Sequence, residues 1–246
     1  MGQIITFYSY KGGVGRSMAL ANIAVLLAQW KYHVLIVDWD LEAPGIENYF
    51  KGFNGLEDIG QKKGIIDFIT SFERDGTQPL SWREHLTTIH HADGYSLDLL
   101  TAGERGEQYF QHVRELDVSK FYSEKKGGNF VESLRNEWKD TYDYILVDSR
   151  TGITDIGGIC TIQLPDILML FATPTKQALD GVIEVTQKAI IARQKLPVDR
   201  LRLLAVPILS RFDTQTEFKI SREWLECFVT GVADIYADWL PTGITN

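Results

Sequence analysis

The spacing of apolar and polar positions changes several times along the chain, and each change marks an element. Residues 4–9 (IITFYS) are a short apolar run that ends in a glycine-rich turn, the pattern of a buried strand. Residues 17–30 (SMALANIAVLLAQW) are apolar nearly all round, as in a helix packed against a sheet. Residues 33–37 (HVLIV) follow as a fully buried strand ending at Asp38, which closes a βαβ unit whose crossover should be right-handed. Two more buried strands are predicted at 144–147 (YILV), ending at Asp148, and at 167–171 (ILMLF), ending before Thr173 and Pro174. A helix over about 176–193 then leads to a further strand at 201–206 (LRLLAV).

This alternation predicts an α/β fold, a doubly wound and mainly parallel sheet with helices on both faces. Residues 52–128 are less regular: a helix near 64–72, short strands near 86–90 and 96–100, then helices within 107–115 and 128–138. No Pro/Gly/Ser-rich linker sets this region apart, and no repeat or low-complexity segment occurs. Residues 221–240 have the pattern of an amphipathic helix, and the sequence stops at PTGITN where such a sheet usually continues with a strand. The expectation is one domain over residues 1–246, excised from a longer protein; a natural edge helix is the alternative.

With 246 residues, 44% of them hydrophobic and 24% charged, the chain suits one large α/β domain better than two. A net charge of −8 argues against a surface built to neutralise nucleic-acid phosphates or anionic lipid, so DNA is disfavoured as a partner, though local basic patches stay open. Cys160 and Cys227 are far apart and in no CxxC arrangement, which removes iron–sulfur, structural-zinc and disulfide-framework readings and suits a reducing cytoplasm. The first residues lack a basic region followed by a long apolar run, and no stretch approaches 18 apolar residues, so the chain reads as soluble, unsecreted and without a membrane anchor. His90 and His91 have no third ligand at metal-like spacing and read as exposed loop residues. The six tryptophans, Trp224 and Trp239 among them, read as core or partner-facing.

Candidate chemistry begins at residues 10–17, YKGGVGRS. A loop that turns its N–H groups inward concentrates partial positive charge, and the helix that follows adds its dipole, so the pair binds phosphate. Gly12, Gly13 and Gly15 supply the backbone freedom, while Val14, Arg16, Ser17 and Met18 complete the loop and the first helical turn. The Ser17 hydroxyl stands where it can ligate Mg²⁺ on the β and γ phosphates, which points to a nucleoside triphosphate, ATP with Mg²⁺. A second motif, VLIVDWDLEAPG at 34–45, delivers Asp38 and Asp40 to the carboxyl edge of the sheet, where open α/β folds bind ligands. Either aspartate could instead cap the helix that follows. The third, YDYILVDSRTG at 142–152, is a strand ending at Asp148 with Gly152 four residues on; a strand-end aspartate satisfied by backbone is the alternative.

The loop departs from GxxxxGK[ST]: Tyr10 stands where the first glycine belongs and Lys11 comes directly after it. KGGVGRS resembles the KGGxGK[ST] loop of the MinD/ParA family of deviant Walker A P-loop ATPases, and the ordered motifs carry the resemblance over most of the chain. It implies a P-loop NTPase fold and a nucleotide-sandwich homodimer in which Lys11 reaches the partner's phosphates. Asp38 then holds Mg²⁺ through water, and Asp40 orients or deprotonates the attacking water, which suits phosphoryl transfer. Residues 142–152 correspond to Walker B joined to switch II: Asp148 accepts a hydrogen bond from Mg²⁺-bound water, and the Gly152 N–H senses the γ-phosphate and pulls on the segment through Gly158. Ser210 and Arg211, in ILSRFD at 208–213, match the Asn-Arg pair beside adenine with Ser in place of Asn; an Arg plane can stack on a base. TPTKQALDG at 173–181, with Asp180 on its helix, resembles a segment of the family's dimer face, or is an ordinary strand-to-helix connection. Arg150 faces solvent or the dimer.

Arg16 occupies the place of the lysine that neutralises the β and γ phosphates. It keeps the charge on a longer planar fork, so binding survives more easily than catalysis. KGGVGR resembles a recurrent variant loop of a bacterial subgroup, often the N-terminal part of larger proteins. The expected activity is an ATPase switch, with Lys11, Asp40 and Arg16 as the catalytic set. The rivals are a nucleotide-binding regulatory module that hydrolyses little, and a kinase or amidoligase on the same scaffold. A bacterial tyrosine kinase would carry a C-terminal tyrosine cluster, and only Tyr236 lies near the end. MinD-like membrane attachment would need a basic terminal helix, whereas residues 221–240 are net acidic. A fused or associated effector domain is consistent with the resemblance.

Overall fold

The structure, a computed structural model, describes residues 1–75, 81–150, 158–196, 200, 202–213 and 218–237. Seven strands form one sheet: β1 (Gln3–Ser9), β2 (Val34–Asp38), β3 (Thr87–His90), β4 (Ser96–Leu100), β5 (Tyr144–Asp148), β6 (Ile167–Ala172) and β7 (Leu204–Leu209). Their spatial order is β3-β4-β2-β5-β1-β6-β7, and every neighbouring pair is parallel except β3 with β4. Among the described residues the α-helices are α1 (Arg16–Gln29), α2 (Ile65–Asp75), α3 (Glu107–Glu115), α4 (Val118–Ser123), α5 (Gly127–Thr141), α6 (Lys176–Arg193) and α7 (Phe218–Ala237).

Because side chains alternate along a strand, each central strand feeds two cores. Ile4, Leu35, Val37, Ile145 and Val147 face α2, α4 and α5 on one side, around the edge-to-face pair Trp39 and Trp138. Phe7, Val34, Ile36 and Leu146 face α1 and the 3₁₀ turn Ile46–Phe50 on the other. On the first side, Tyr8, Leu168, Leu170 and Ala172 meet α6 and α7. All five residues of β2 are buried, which is why it reads as a continuous apolar run.

One predicted element is shifted, and two further elements were not predicted. The strand expected at 201–206 is β7, Leu204–Leu209, and it runs through Pro207. It is an edge strand paired only with β6, where a missing N–H need cost no ladder bond. Helix α4 was not expected; its six residues are too short to show a period, and it is held by an Asp117 cap and by the fully buried Phe121. Residues Ile159–Gln163 form a π-helical turn that no apolar period announces. His90 ends β3 rather than lying beyond it, and His91 stacks on Tyr95. The helix expected at 221–240 is described as α7; Trp239 lies outside the described residues.

Candidate functional site

β1 ends at Ser9, and the chain turns through the glycine loop into α1. Gly13 and Gly15 have φ of 72° and 87°, a left-handed region that strains any L side chain. A Cβ at Gly12 or Gly13 would meet nothing within 4 Å, so the loop is an open cradle. Gly15 is the N-cap of α1 and no side chain caps that end, which leaves the first-turn N–H groups of Arg16, Ser17 and Met18 without intrahelical partners. Such a terminus is a ready anion site. Val14 anchors the loop in the core, whereas Met18 is exposed. Tyr10 lies flat on Gly181 of α6, where any Cβ would overlap its ring, and the exposed Lys11 ammonium lies 5.9 Å from the centre of that ring.

β2 and β5 are adjacent, and Asp38 and Asp148 are register partners at their carboxyl ends, so the sheet brings both acids beside the loop. Asp148 Oδ1 accepts from Arg16 Nε at 2.7 Å, and its Oδ2 accepts from Ser17 Oγ at 2.6 Å. The fork of Arg16 also reaches Asp40 Oδ2 through Nη2 at 3.1 Å. Asp38 is spent on backbone: Oδ1 accepts from Asp40 N at 3.1 Å, and Oδ2 from Gly45 N at 2.9 Å and Ile46 N at 3.3 Å, at the start of the 3₁₀ turn. The aspartate therefore shapes the loop that carries Asp40.

Arg16 thus pairs with two of three neighbouring carboxylates in a largely buried setting. Burial, and then the charge of Asp148, push Asp38 up to about 7, against the three backbone donors. Burial also raises Asp148, with Arg16 and Ser17 opposing. Burial pulls Arg16 down, but the charges of Asp148 and Asp40 and their hydrogen bonds outweigh it, so the guanidinium sits above its ordinary value. Arg16 is 7% exposed, and its Nη1 is buried with no hydrogen-bond partner among the described residues.

Ser149, next to the cluster, ties β5 to β1 through Phe7 O at 2.9 Å. Arg150 pairs with Glu42 at 2.5 Å, joining the two acidic loops in a contact that sequence reasoning missed because Glu42 looked like one more exposed acid. Gly152 lies outside the described residues. Ser210 donates from its N–H to Ala172 O at 2.8 Å beyond β7, and the exposed Arg211 has a left-handed φ of 51°; both lie at the same sheet edge, two strands from β1. Asp180 and Lys176 form an exposed pair at 3.8 Å on the first turns of α6. The Tyr10–Gly181 contact was legible only as two separate oddities, an aromatic in a glycine's place and a glycine in a helix.

The open glycine cradle at an uncapped helix start fits a phosphate chain. The hydroxyl of Ser17 beside Asp148 and Asp38 is a hard oxygen set that fits Mg²⁺. Among the described residues no three His, Cys, Asp or Glu side chains form a metal cage.

The profile of a family described as the CobQ/CobB/MinD/ParA nucleotide binding domain matches residues 5–231. The chain is 26% identical over 203 residues to a protein described as septum site-determining protein MinD of Oltmannsiellopsis viridis, covering 80% of this chain and 54% of that one. It is 28% identical over 195 residues to the cytosolic Fe-S cluster assembly factor CFD1 of Chaetomium globosum, covering 77% of this chain and 53% of that one. The chain thus spans about half the length of these curated relatives. Among solved structures, MinD of Pyrococcus horikoshii complexed with Mg-ADP shares the fold with a TM-score of 0.60 at 19% identity, covering 91% of this chain and 77% of that one.

Proposed function

We propose, from the premise that the chain belongs to the CobQ/CobB/MinD/ParA nucleotide binding domain family, that it is a Mg²⁺-dependent ATPase whose nucleotide state decides whether two copies pair. The observation that carries this reading is the meeting, at one sheet edge, of an open glycine cradle with Ser17, Asp38, Asp40 and Asp148. The loop N–H groups bind the phosphate chain, and Arg16 adds a positive charge within the same loop. A bound Mg²⁺ would neutralise phosphate charge, with Ser17, Asp38 and Asp148 as the residues to hold it. Asp40, 15% exposed at the mouth of the cluster, orients the attacking water and accepts its proton. Lys11 is exposed and leaves its ammonium free of any ion pair among the described residues, which suits a role on a second copy's phosphates. Ser210 and Arg211 border the base, and Gly152 reports the γ-phosphate.

The proposal takes residues 1–246 as one domain of a cytoplasmic protein, read by a fused or associated effector. Among the described residues no helix is long and apolar enough to cross a membrane. A second reading, a nucleotide-binding module with slow turnover, is favoured by the two ion pairs that hold Arg16 on acids rather than in the cradle.

The test is ATP binding and phosphate release for the wild-type chain, Arg16→Lys, Lys11→Ala and Asp40→Ala, with mass followed in solution. Binding with turnover that Asp40→Ala removes is the expected result, as is an ATP-dependent doubling of mass that Lys11→Ala abolishes. Tight binding without turnover in wild type would leave the regulatory module. No binding would overturn both readings.

A further inference from the structure

Every carboxylate oxygen of the acidic cluster is already engaged. Asp38 gives both oxygens to the backbone of the loop it organises. Asp40 gives Oδ1 to Ala43 N at 3.4 Å and Oδ2 to Arg16. Asp148 gives Oδ1 to Arg16 and Oδ2 to Ser17. A divalent cation taken up by Asp148 and Ser17 must therefore displace a partner, and the partners differ in how freely they can leave. The donors to Asp38 are main chain and move only with the loop. Arg16 is a flexible side chain on the first residue of α1, and among the described residues it is the one cation within hydrogen-bond distance of two of the three acids.

We propose that Arg16 is the site's built-in counter-ion: its guanidinium holds Asp148 and Asp40 together, and it must leave them before a divalent cation is bound. This rests on the nucleotide-site reading and deepens it. Two features support an arrangement made to be exchanged. Among the described residues the Nη1 group is buried without a partner, so this position does not satisfy all five N–H donors of the side chain. One guanidinium also answers two carboxylates, and phosphates arriving with a metal would give the released Arg16 a new anionic partner. A lysine in this place would put its three donors on one point-like ammonium, whereas Arg16 reaches the two acids from separate nitrogens of a planar fork, so the arginine at position 16 is what shapes the device.

The probe is Mn²⁺ alone, titrated into the full chain without nucleotide and followed by the electron paramagnetic resonance of the free ion. ADP affinity in the presence of chelator is measured in parallel by calorimetry, and far-UV circular dichroism checks the fold of each variant. Wild type should bind Mn²⁺ weakly. Arg16→Gln should tighten Mn²⁺ by about tenfold or more, the scale of one buried ion pair no longer competing. Arg16→Lys, which keeps the charge and so protects the fold, should tighten it by about threefold, because a point charge replaces the fork. Lys11→Gln removes a positive charge from the same loop but frees no carboxylate, and should leave Mn²⁺ affinity as it is. Unchanged Mn²⁺ affinity in both Arg16 variants, with ADP still bound by wild type, overturns the counter-ion and leaves the nucleotide site standing. Equal tightening by Lys11→Gln and Arg16→Gln overturns it as well, since net charge alone would explain both. Failure of wild type to bind ADP or ATP overturns the nucleotide-site reading instead.

Discussion

At the amino edge of the sheet Asp166 accepts from Ile4 N at 3.0 Å and Lys139 Nζ at 2.7 Å, and Arg135 pairs with its other oxygen. At the carboxyl edge Asp148 accepts from Arg16 and Ser17. Both acids end up largely buried, Asp166 between two cations and Asp148 against one, yet their surroundings are opposite in sign. Around Asp166 cations are in excess, and main-chain carbonyls absorb them: Arg135 donates to Leu164 O at 3.1 Å, Arg193 to Ile162 O at 2.9 Å and Pro165 O at 2.5 Å, and Arg200 to Gln163 O and Glu132. These carbonyls belong to the end of the π-helical turn Ile159–Gln163 and the two residues after it, where a helical end is negative and basic side chains belong. Around Asp148 carboxylates are in excess, and the uncapped N-terminus of α1 and the glycine cradle adjoin them. One edge closes its own electrostatics and serves as a clamp. The other leaves charge to be answered by a ligand.

The sharpest way to break this contrast is Asp166→Ala. Arg135 and Lys139 are each under a tenth exposed and would keep their charges without the acid, a situation that costs about 3–5 kcal/mol. Urea unfolding should show that loss, while the ADP affinity of the folded fraction stays the same. A loss below about 1 kcal/mol would mean that the carbonyls alone can hold the basic groups, and the clamp would be no clamp. The next largest effect asks whether the carboxyl-edge loop is also held from outside. Gly181→Ala puts a methyl into the Tyr10 ring, and overpacking of this kind costs about 1–3 kcal/mol. Tyr10→Ala in the same chain should return most of that loss. Without such recovery in a double-mutant cycle, the loop does not lean on α6.

The same contrast governs what could be seen in the sequence. The carboxyl edge was legible because its parts are local: a glycine loop between an apolar strand and an apolar helix, and aspartates that end strands buried on both faces, as β2 and β5 are. The amino-edge clamp was not, because Lys139 and Arg135 meet Asp166 from 27 and 31 positions away, and their remaining partners are carbonyls, which every residue has. Helix α4 was hidden for a related reason. Six residues cannot show a period, and Phe121 finds its place only through Phe72 and Phe130 from other elements. For Asp38 the sequence left two roles open, helix capping and metal binding; its three backbone bonds tie it to the loop and to the start of the 3₁₀ turn, whose N-cap is Gly45, at the edge where the second role would operate.

Gly13→Ala tests the ligand side of the comparison at lower cost in stability. With φ at 72°, an alanine there is strained by about 1–2 kcal/mol. Its methyl would stand in open space, so nothing else in the fold is disturbed. Midpoint denaturation should shift modestly while ATP affinity falls well beyond that shift, since the methyl and the altered backbone both intrude where phosphate sits. Equal losses in the two measurements would mean that the loop is a structural turn and not a cradle.

Ser17→Ala should have the smallest effect on stability and separates the two edges most cleanly. Its hydroxyl makes one bond, 2.6 Å to Asp148 Oδ2, and a hydrogen bond to a charged acceptor is worth about 1.5–3 kcal/mol at most, less here because Arg16 remains on the other oxygen of the same carboxylate. A loss near 1 kcal/mol or below in urea is therefore expected. The consequence for ligands should be larger and selective. ADP measured in chelator should bind nearly as in wild type, because the loop N–H groups are untouched, whereas the gain in affinity on adding Mg²⁺ should shrink, because the hydroxyl is one of the oxygens offered to the cation. A clamp residue cannot behave this way: removing it weakens the fold and leaves the metal dependence of binding alone. If Ser17→Ala lowered stability as Asp166→Ala does and left the Mg²⁺ dependence intact, the carboxyl edge would be a second clamp, and the difference between the two edges would be one of sign only.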